Sequence, residues 1–325
     1  MEIRGLFPAT VTPFSEDGAI DYDQLQQHIQ RVGSVPNVAG LVVIGNAGEI
    51  TTLTTEERRS VIKECREAIP DGRILVSGIQ GYPGPMLVEQ AQIAADAGAD
   101  AVLVCNPFDP QHLRALSKEP DTVYEVFSQL DREVGIPMIV FQVPPWWGCS
   151  YSIEALDRLA DIPSVQAIKA GAGKIELYVQ LYDRLHERIS VLASADSPLL
   201  LPMLLYGAAG ALIGVGAVAP EIWAELLQYA EAGPAEAAIS LFNQRCVPLT
   251  TATHDNHMDR SVISSCGATK EALYQLGELR TTTIRAPAIP PDAARKNTIS
   301  ECLRRAGLRP AASQETALAQ NAGQG

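Results

Sequence analysis

The chain has 325 residues, 46% of them hydrophobic, and a formal net charge of −13. That is enough apolar material for a large core. The acidic balance speaks against nucleic acid or an anionic membrane as the main partner. The acidity is spread along the chain, as ordinary solubility requires.

No stretch has the ~18 uninterrupted apolar residues of a membrane span. The N-terminus, MEIRGLFPAT, lacks the regions of a signal peptide, which leaves the cytoplasm as the default location. Six cysteines (65, 105, 149, 246, 266 and 302) are scattered, and neither they nor the five histidines show CxxC, HExxH or zinc-type spacing. Reduced, mostly buried thiols and no metal centre are expected.

Eight short runs rich in Val and Ile read as strands in chain order: 5–12, 40–45, 73–79, 101–107, 137–143, 165–170, 189–194 and 210–215. Their nearly continuous hydrophobicity is that of parallel strands covered on both faces. Between them lie amphipathic helical patterns. DYDQLQQHIQRV aligns Leu25, Ile29 and Val32 on one face. TTEERRSVIKECREAI opens with Thr54 and Glu57 in capping-box spacing and offers Val61, Ile62, Cys65 and Ile69 for burial. Eight βα units point to an α/β fold, a (β/α)8 TIM barrel over residues 1–232. A doubly wound sheet is the alternative, disfavoured because no GxGxxG or GxxxxGK[ST] follows a strand. Helical patterns at 234–247, 261–277 and 291–306 predict a C-terminal three-helix extension over 233–308. The polar tail, 309–325, has the composition of a disordered segment.

Catalytic groups of a barrel sit at the C-terminal strand ends and in the βα loops. These are GNAGE (45–49), CNPFDPQH (105–112), FQVPPWWG (141–148), Lys169, ASADS (193–197) and IGVGAVAP (213–220). In VQAIKAGAG, period-2 alternation places Val165, Ala167 and Lys169 on one face. An inward lysine there is partly desolvated, which favours the neutral, nucleophilic amine. The plain alternative is a lysine that snorkels or pairs with an acid such as Asp196. GNAGE is a glycine-bracketed turn whose N–H groups suit a carboxylate, though such turns are also common as plain loops. Glu49 reads as no more than a local hydrogen-bond partner. Trp146 and Trp147 suit either a site wall or simple packing.

Taken together these segments resemble the dihydrodipicolinate synthase / N-acetylneuraminate lyase family over about residues 3–308. GLFPATVTPF resembles its first strand, and GNAGEITTLTTEER its G-T-T-G-E-x-x-x-L-T-x-E-E-R stretch. IPMIVFQVP lies where the family has Y-N-x-P, VQAIKAGAG matches the strand of the Schiff-base lysine, and GAAGALIGVGAVAP resembles the eighth strand. TKEALYQLGEL resembles a late helix of the C-terminal region.

The resemblance implies a class I lyase that needs no cofactor beyond a covalent imine on Lys169. It implies a small 2-oxo acid substrate and a homo-oligomer, a dimer or tetramer. Its catalytic positions fall on Lys169, Phe141 (where the family has tyrosine) and Asn46. Its substrate-binding positions fall on Ala47, Gly48, Phe108, Asp109, Gln142, Trp146, Asp196 and Gly214. Phe141 has no hydroxyl, Asn46 and Ala47 replace two threonines, Phe108 and Asp109 replace two tyrosines, and Trp146 lies near the place of an arginine. The usual proton relay is therefore absent, which speaks against a dihydrodipicolinate synthase proper. Three readings remain open: pyruvate-type aldol or retro-aldol chemistry, dehydration of a 2-keto-3-deoxy sugar acid through the same imine, or a non-catalytic relative that binds 2-oxo acids. For the missing base the candidates are Asp109, His112, Asp196 or a water held by Asn46 and Gln142.

Overall fold

The computed structural model describes residues 1–106, 117–254, 265–309 and 311. Eight strands form one parallel sheet: β1 (Gly5–Pro8), β2 (Gly40–Val43), β3 (Ile74–Ile79), β4 (Ala101–Val104), β5 (Met138–Gln142), β6 (Val165–Ala170), β7 (Ser190–Ala193) and β8 (Gly210–Ile213). Their hydrogen-bonded order is β1-β8-β7-β6-β5-β4-β3-β2. Parallel bridges Leu6↔Val38 and Ala9↔Val42 draw β1 against β2 and nearly close the ring. The result is the (β/α)8 barrel; a doubly wound sheet would leave two free edges. Every residue of β2, β4, β5 and β8 is buried, so the apolar runs reflect two covered faces. The strands stop a few residues before most of the runs do. The remaining apolar residues are buried in loops at the barrel top.

The outer helices are α1 (Tyr22–Gly33), α2 (Thr55–Ala68), α3 (Pro85–Asp96), α4 (Pro120–Glu133), α5 (Ile153–Leu159), α6 (Ile175–Leu185), α7 (Leu200–Leu205) and α8 (Pro220–Ala232). α1 buries Leu25, Ile29 and Val32 against the core. α2 starts at the capping box, with the Thr54 and Glu57 side chains each bonded to the other's backbone N–H. No described helix is long and apolar enough to cross a membrane.

The C-terminal region departs from its sequence pattern at one place. α9 (Ala235–Leu241) does not end near 247 but runs through a π-turn (Phe242–Cys246) into α10 (Val247–Thr253). Proline lacks an N–H and its ring crowds the preceding turn, so Pro248 reads as a helix stop. The widened turn, in which Val247 N–H bonds back to Phe242, absorbs it. α11 (Ser265–Gln275) and α12 (Ala293–Arg305) complete the chain's described helices. The predicted start of α11 at 261 and most of the tail lie outside the described residues. Arg295 donates to the carbonyls of Thr251 and Ala252, which occupies two acceptors at the α10 C-terminus.

Candidate active site

Lys169 is the penultimate residue of β6 and pairs in register with Phe141 of β5. Its Nζ stands over the Phe141 ring, 3.9 Å from the centroid, a cation–π arrangement. Burial lowers its pKa, while the charges of Asp196 and Cys105 act in the opposite direction. Among the described residues no carboxylate ion-pairs with it. Its neighbours are an aromatic ring and the Cys105 thiol, itself pushed up to about 11 by burial and therefore neutral. A lysine so placed loses its proton more readily than a solvated one.

The loop after β2 is built under strain. Ile44 has φ 53°, a conformation rare for a β-branched residue, and Glu49 has φ 58°. Gly78 of β3 makes the bend possible, because a Cβ there would stand 2.1 Å from the Ile44 carbonyl oxygen. The N–H groups of Gly48, Glu49 and Ile50 are spent on the turn itself. Those of Asn46 and Ala47 donate to no acceptor among the described residues and remain available to an anion.

Supports for this loop come from distant segments. Thr12 Oγ1 donates to Gly48 O at 2.9 Å, and Cys266 Sγ of α11 donates to Asn46 O at 2.9 Å. Glu49 is not merely a local partner. Its Oε1 accepts from Lys270 Nζ at 2.6 Å and its Oε2 from Arg285 N–H at 3.0 Å. Both members of the Glu49–Lys270 pair are buried. Lys270 also donates to Thr283 O and stands 4.1 Å from the centroid of the Phe14 ring.

On the β5 side, Gln142 does not face the lysine. It is buried, and its amide donates to Tyr151 O and accepts from Tyr151 N–H, both at 3.0 Å. With the Asn106 side chain donating to Cys149 O at 2.7 Å, this pins the far end of the loop that carries the tryptophans. Trp147 meets the Phe141 ring edge-on at 6.4 Å between centroids. Trp146 leans instead across Gly173, where a Cβ would fall 2.2 Å from its ring. The space left by that glycine is thus filled by indole rather than open. Asn46, Phe141, Trp147, Cys105, Asn106 and Gln80 close around one narrow cleft.

Asp196, in the loop after β7, accepts from Val215 N–H at 2.8 Å beyond β8. Its Oδ2 lies 3.5 Å from His254 Nε2, at the end of α10. Gly214 borders both. His254 carries no sequence signal that marks it, since a lone histidine far from any strand end could lie anywhere. The structure therefore brings Phe141 to Lys169 and to Asn46, and Gly214 to Asp196 at the end of the neighbouring strand, while Gly48 is buried within the turn that carries Asn46 and Ala47. Phe108, Asp109 and His112 lie outside the described residues. Among the described residues no group of three His, Cys, Asp or Glu could hold a metal ion.

A lysine with a lowered pKa at the top of a (β/α)8 barrel, beside free backbone donors, defines a Schiff-base, aldolase-type lyase. The comparisons with known proteins agree. Residues 2–306 match the sequence model of the dihydrodipicolinate synthetase family, and the chain belongs to that family. It is 30% identical over 314 residues to the 4-hydroxy-tetrahydrodipicolinate synthase of Alcanivorax borkumensis, covering 94% of this chain and 98% of that one. A protein of the same name from Methylobacterium radiotolerans is 31% identical, at 94% and 96% coverage. Among solved structures, dihydrodipicolinate synthase from Aquifex aeolicus superposes with a TM-score of 0.82 at 26% identity, covering 95% of this chain and 99% of that one. The chloride-inhibited, pyruvate-bound enzyme from Acinetobacter baumannii gives 0.81 at 25% identity, at 94% and 99% coverage.

Proposed function

We propose that Lys169 attacks the C2 carbonyl of a small 2-oxo acid and forms an imine, with no other cofactor. The single observation that carries this is the lysine's setting: partly buried at the end of β6, with Nζ 3.9 Å from the Phe141 ring centroid and no ion-pair partner among the described residues. The N–H groups of Asn46 and Ala47 receive the substrate carboxylate. The protonated imine is an electron sink for pyruvate-type aldol or retro-aldol chemistry at C3–C4. Dehydration of a 2-keto-3-deoxy sugar acid would use the same imine.

The substrate's far end is less anionic than an amino-acid semialdehyde. The support is the aromatic wall of Phe141, Trp146 and Trp147, with tryptophan near the place where the synthases carry an arginine. Substrate binding by Gln142 would need its bonds to Tyr151 to break.

The test is borohydride trapping with pyruvate and related 2-oxo acids, read by mass spectrometry. An adduct on Lys169 that Lys169→Met abolishes is the expected result. No adduct with any of them would overturn the reading. We further propose a cytoplasmic homo-oligomer. The location is supported by six free, buried cysteines. The assembly is supported by exposed apolar side chains such as Leu205 at the end of α7 and Tyr206 just after it. Mass photometry checks the assembly, and a monomer would refute it.

A further inference from the structure

Phe141 leaves the imine without the hydroxyl that its relatives' sequence pattern supplies, so a proton carrier must come from elsewhere in the mouth. Asp196 lies three residues past Ala193, the last residue of β7, which pairs with Ala170 next to Lys169, and its charge acts on that lysine. Asp196 does not stand alone. Val215 N–H fixes its Oδ1 at 2.8 Å, and Oδ2 is turned toward His254 Nε2 at 3.5 Å.

The other contact of His254 accommodates the tautomer that a relay requires. Nδ1 lies 2.9 Å from Thr253 Oγ1, and that hydroxyl already donates its one hydrogen to Leu249 O at 3.1 Å. With its hydrogen on Leu249 O, the hydroxyl accepts from Nδ1–H. In that tautomer the Nε2 lone pair faces Asp196 Oδ2 and can accept a proton carried on that oxygen. Both side chains are partly open, at 26% and 22% exposure. Gly214 borders both, since a Cβ there would lie in ordinary contact at 3.6 Å from Asp196 Oδ2 and His254 Cε1.

We propose that Asp196 and His254 form the proton relay that takes the place of the missing tyrosine; this rests on the Lys169 imine reading. Asp196 Oδ2 removes the C3 proton of the iminium. The C3–H electron pair becomes the C2–C3 double bond of the enamine, and the C–N π pair becomes a lone pair on nitrogen. Asp196 passes the proton to His254 Nε2, and a carboxylate–imidazolium pair results. The partly exposed imidazolium exchanges its proton with water, and the reverse steps deliver a proton from that pool to C3, so the cycle consumes nothing. Asp196 is the group that touches substrate, and His254 acts through it.

The test needs only pyruvate. Deuterium incorporation into its methyl group in D2O, followed by proton NMR, reports the C3 step. Borohydride trapping, run in parallel, reports imine formation. Asp196→Asn and His254→Gln should each retain trapping within about twofold, while exchange falls by roughly a hundredfold, the scale of one lost acid–base group. Imidazole added to His254→Ala should restore exchange in proportion to its concentration, which a purely structural histidine would not show. Wild-type exchange rates in both Asp196→Asn and His254→Gln would overturn the relay. So would parallel loss of trapping and exchange in either variant, or no imidazole rescue. Failure of the wild-type protein to trap pyruvate or any related 2-oxo acid is a different outcome, and sinks the imine reading itself.

Discussion

The Glu49–Lys270 pair joins the loop after β2 to α11, and replacing Lys270 with methionine tests what it contributes. Lys270 is 0% exposed and Glu49 is 5% exposed, with 2.6 Å between Nζ and Oε1. Methionine keeps the length and apolar stem but leaves Glu49 Oε1 and Thr283 O without their donor. Removing one member of a buried pair typically costs about 3–5 kcal/mol, because the other charge stays buried without compensation. At about 2–4 °C per kcal/mol, the expected fall in Tm is on the order of 10 °C. The double variant Glu49→Gln/Lys270→Met removes both charges together with their desolvation, and should recover most of that loss. Thermal unfolding followed by circular dichroism reads all four proteins of the cycle. A Lys270→Met variant within about 2 °C of wild type would refute the reasoning. So would a double variant no more stable than the weaker single one.

Further expectations concern the site and its surroundings. Phe141→Tyr places a hydroxyl beside Lys169, and should raise pyruvate methyl exchange severalfold while leaving borohydride trapping largely intact; loss of trapping would mean that the wall has been misplaced. His28 is buried with neither ring nitrogen bonded to a described residue, and burial brings its pKa from 6.5 down to about 4. As pH falls below 6.5 the unfolded chain binds this proton before the folded one does. Stability is therefore lost between about pH 6.5 and 4, by about 2 kcal/mol at pH 5. His28→Leu should remove that acid-side loss in urea titrations at pH 7 and pH 5, and an unchanged slope would contradict it. All six cysteines are free and buried, and Cys105 is pushed up to about 11. A disulfide reagent at pH 8 should therefore find no fast thiol until the chain is unfolded; one rapid native thiol would contradict this.

The barrel was legible because each strand is covered on both faces, so its whole run is apolar and stands out from the amphipathic helices. Lys169 was legible for the same reason: period-2 alternation tells which face a polar residue must share. The features that stayed hidden are those joining segments far apart in the chain. Glu49 reads as local, although its partner lies 221 residues away. His254 ends a helix with no periodic signature, and its pairing with Asp196 exists only once α10 is laid over the mouth. Gln142 sits where a strand end suggests a ligand, yet the same alternation that turns Phe141 toward Lys169 turns its neighbour toward Tyr151. The first C-terminal helix ran past its expected end because a π-turn can absorb a proline that local rules treat as a stop.

The bonds from Cys266 and Lys270 to the GNAGE loop have a consequence for where the working unit ends. Measured by architecture, the barrel closes at β8 and α8, and the later helices are an appendage. Measured by the mouth, the GNAGE turn is held from behind by α11 and His254 is supplied by the end of α10. A chain cut after α8 would keep all eight strands and Lys169 in sequence. It would lack the brace on a strained turn and one half of a proton-carrying pair. The seam between barrel and extension therefore runs through the mouth, and grafting this extension from a relative would exchange side chains that face Asp196 and brace the GNAGE turn.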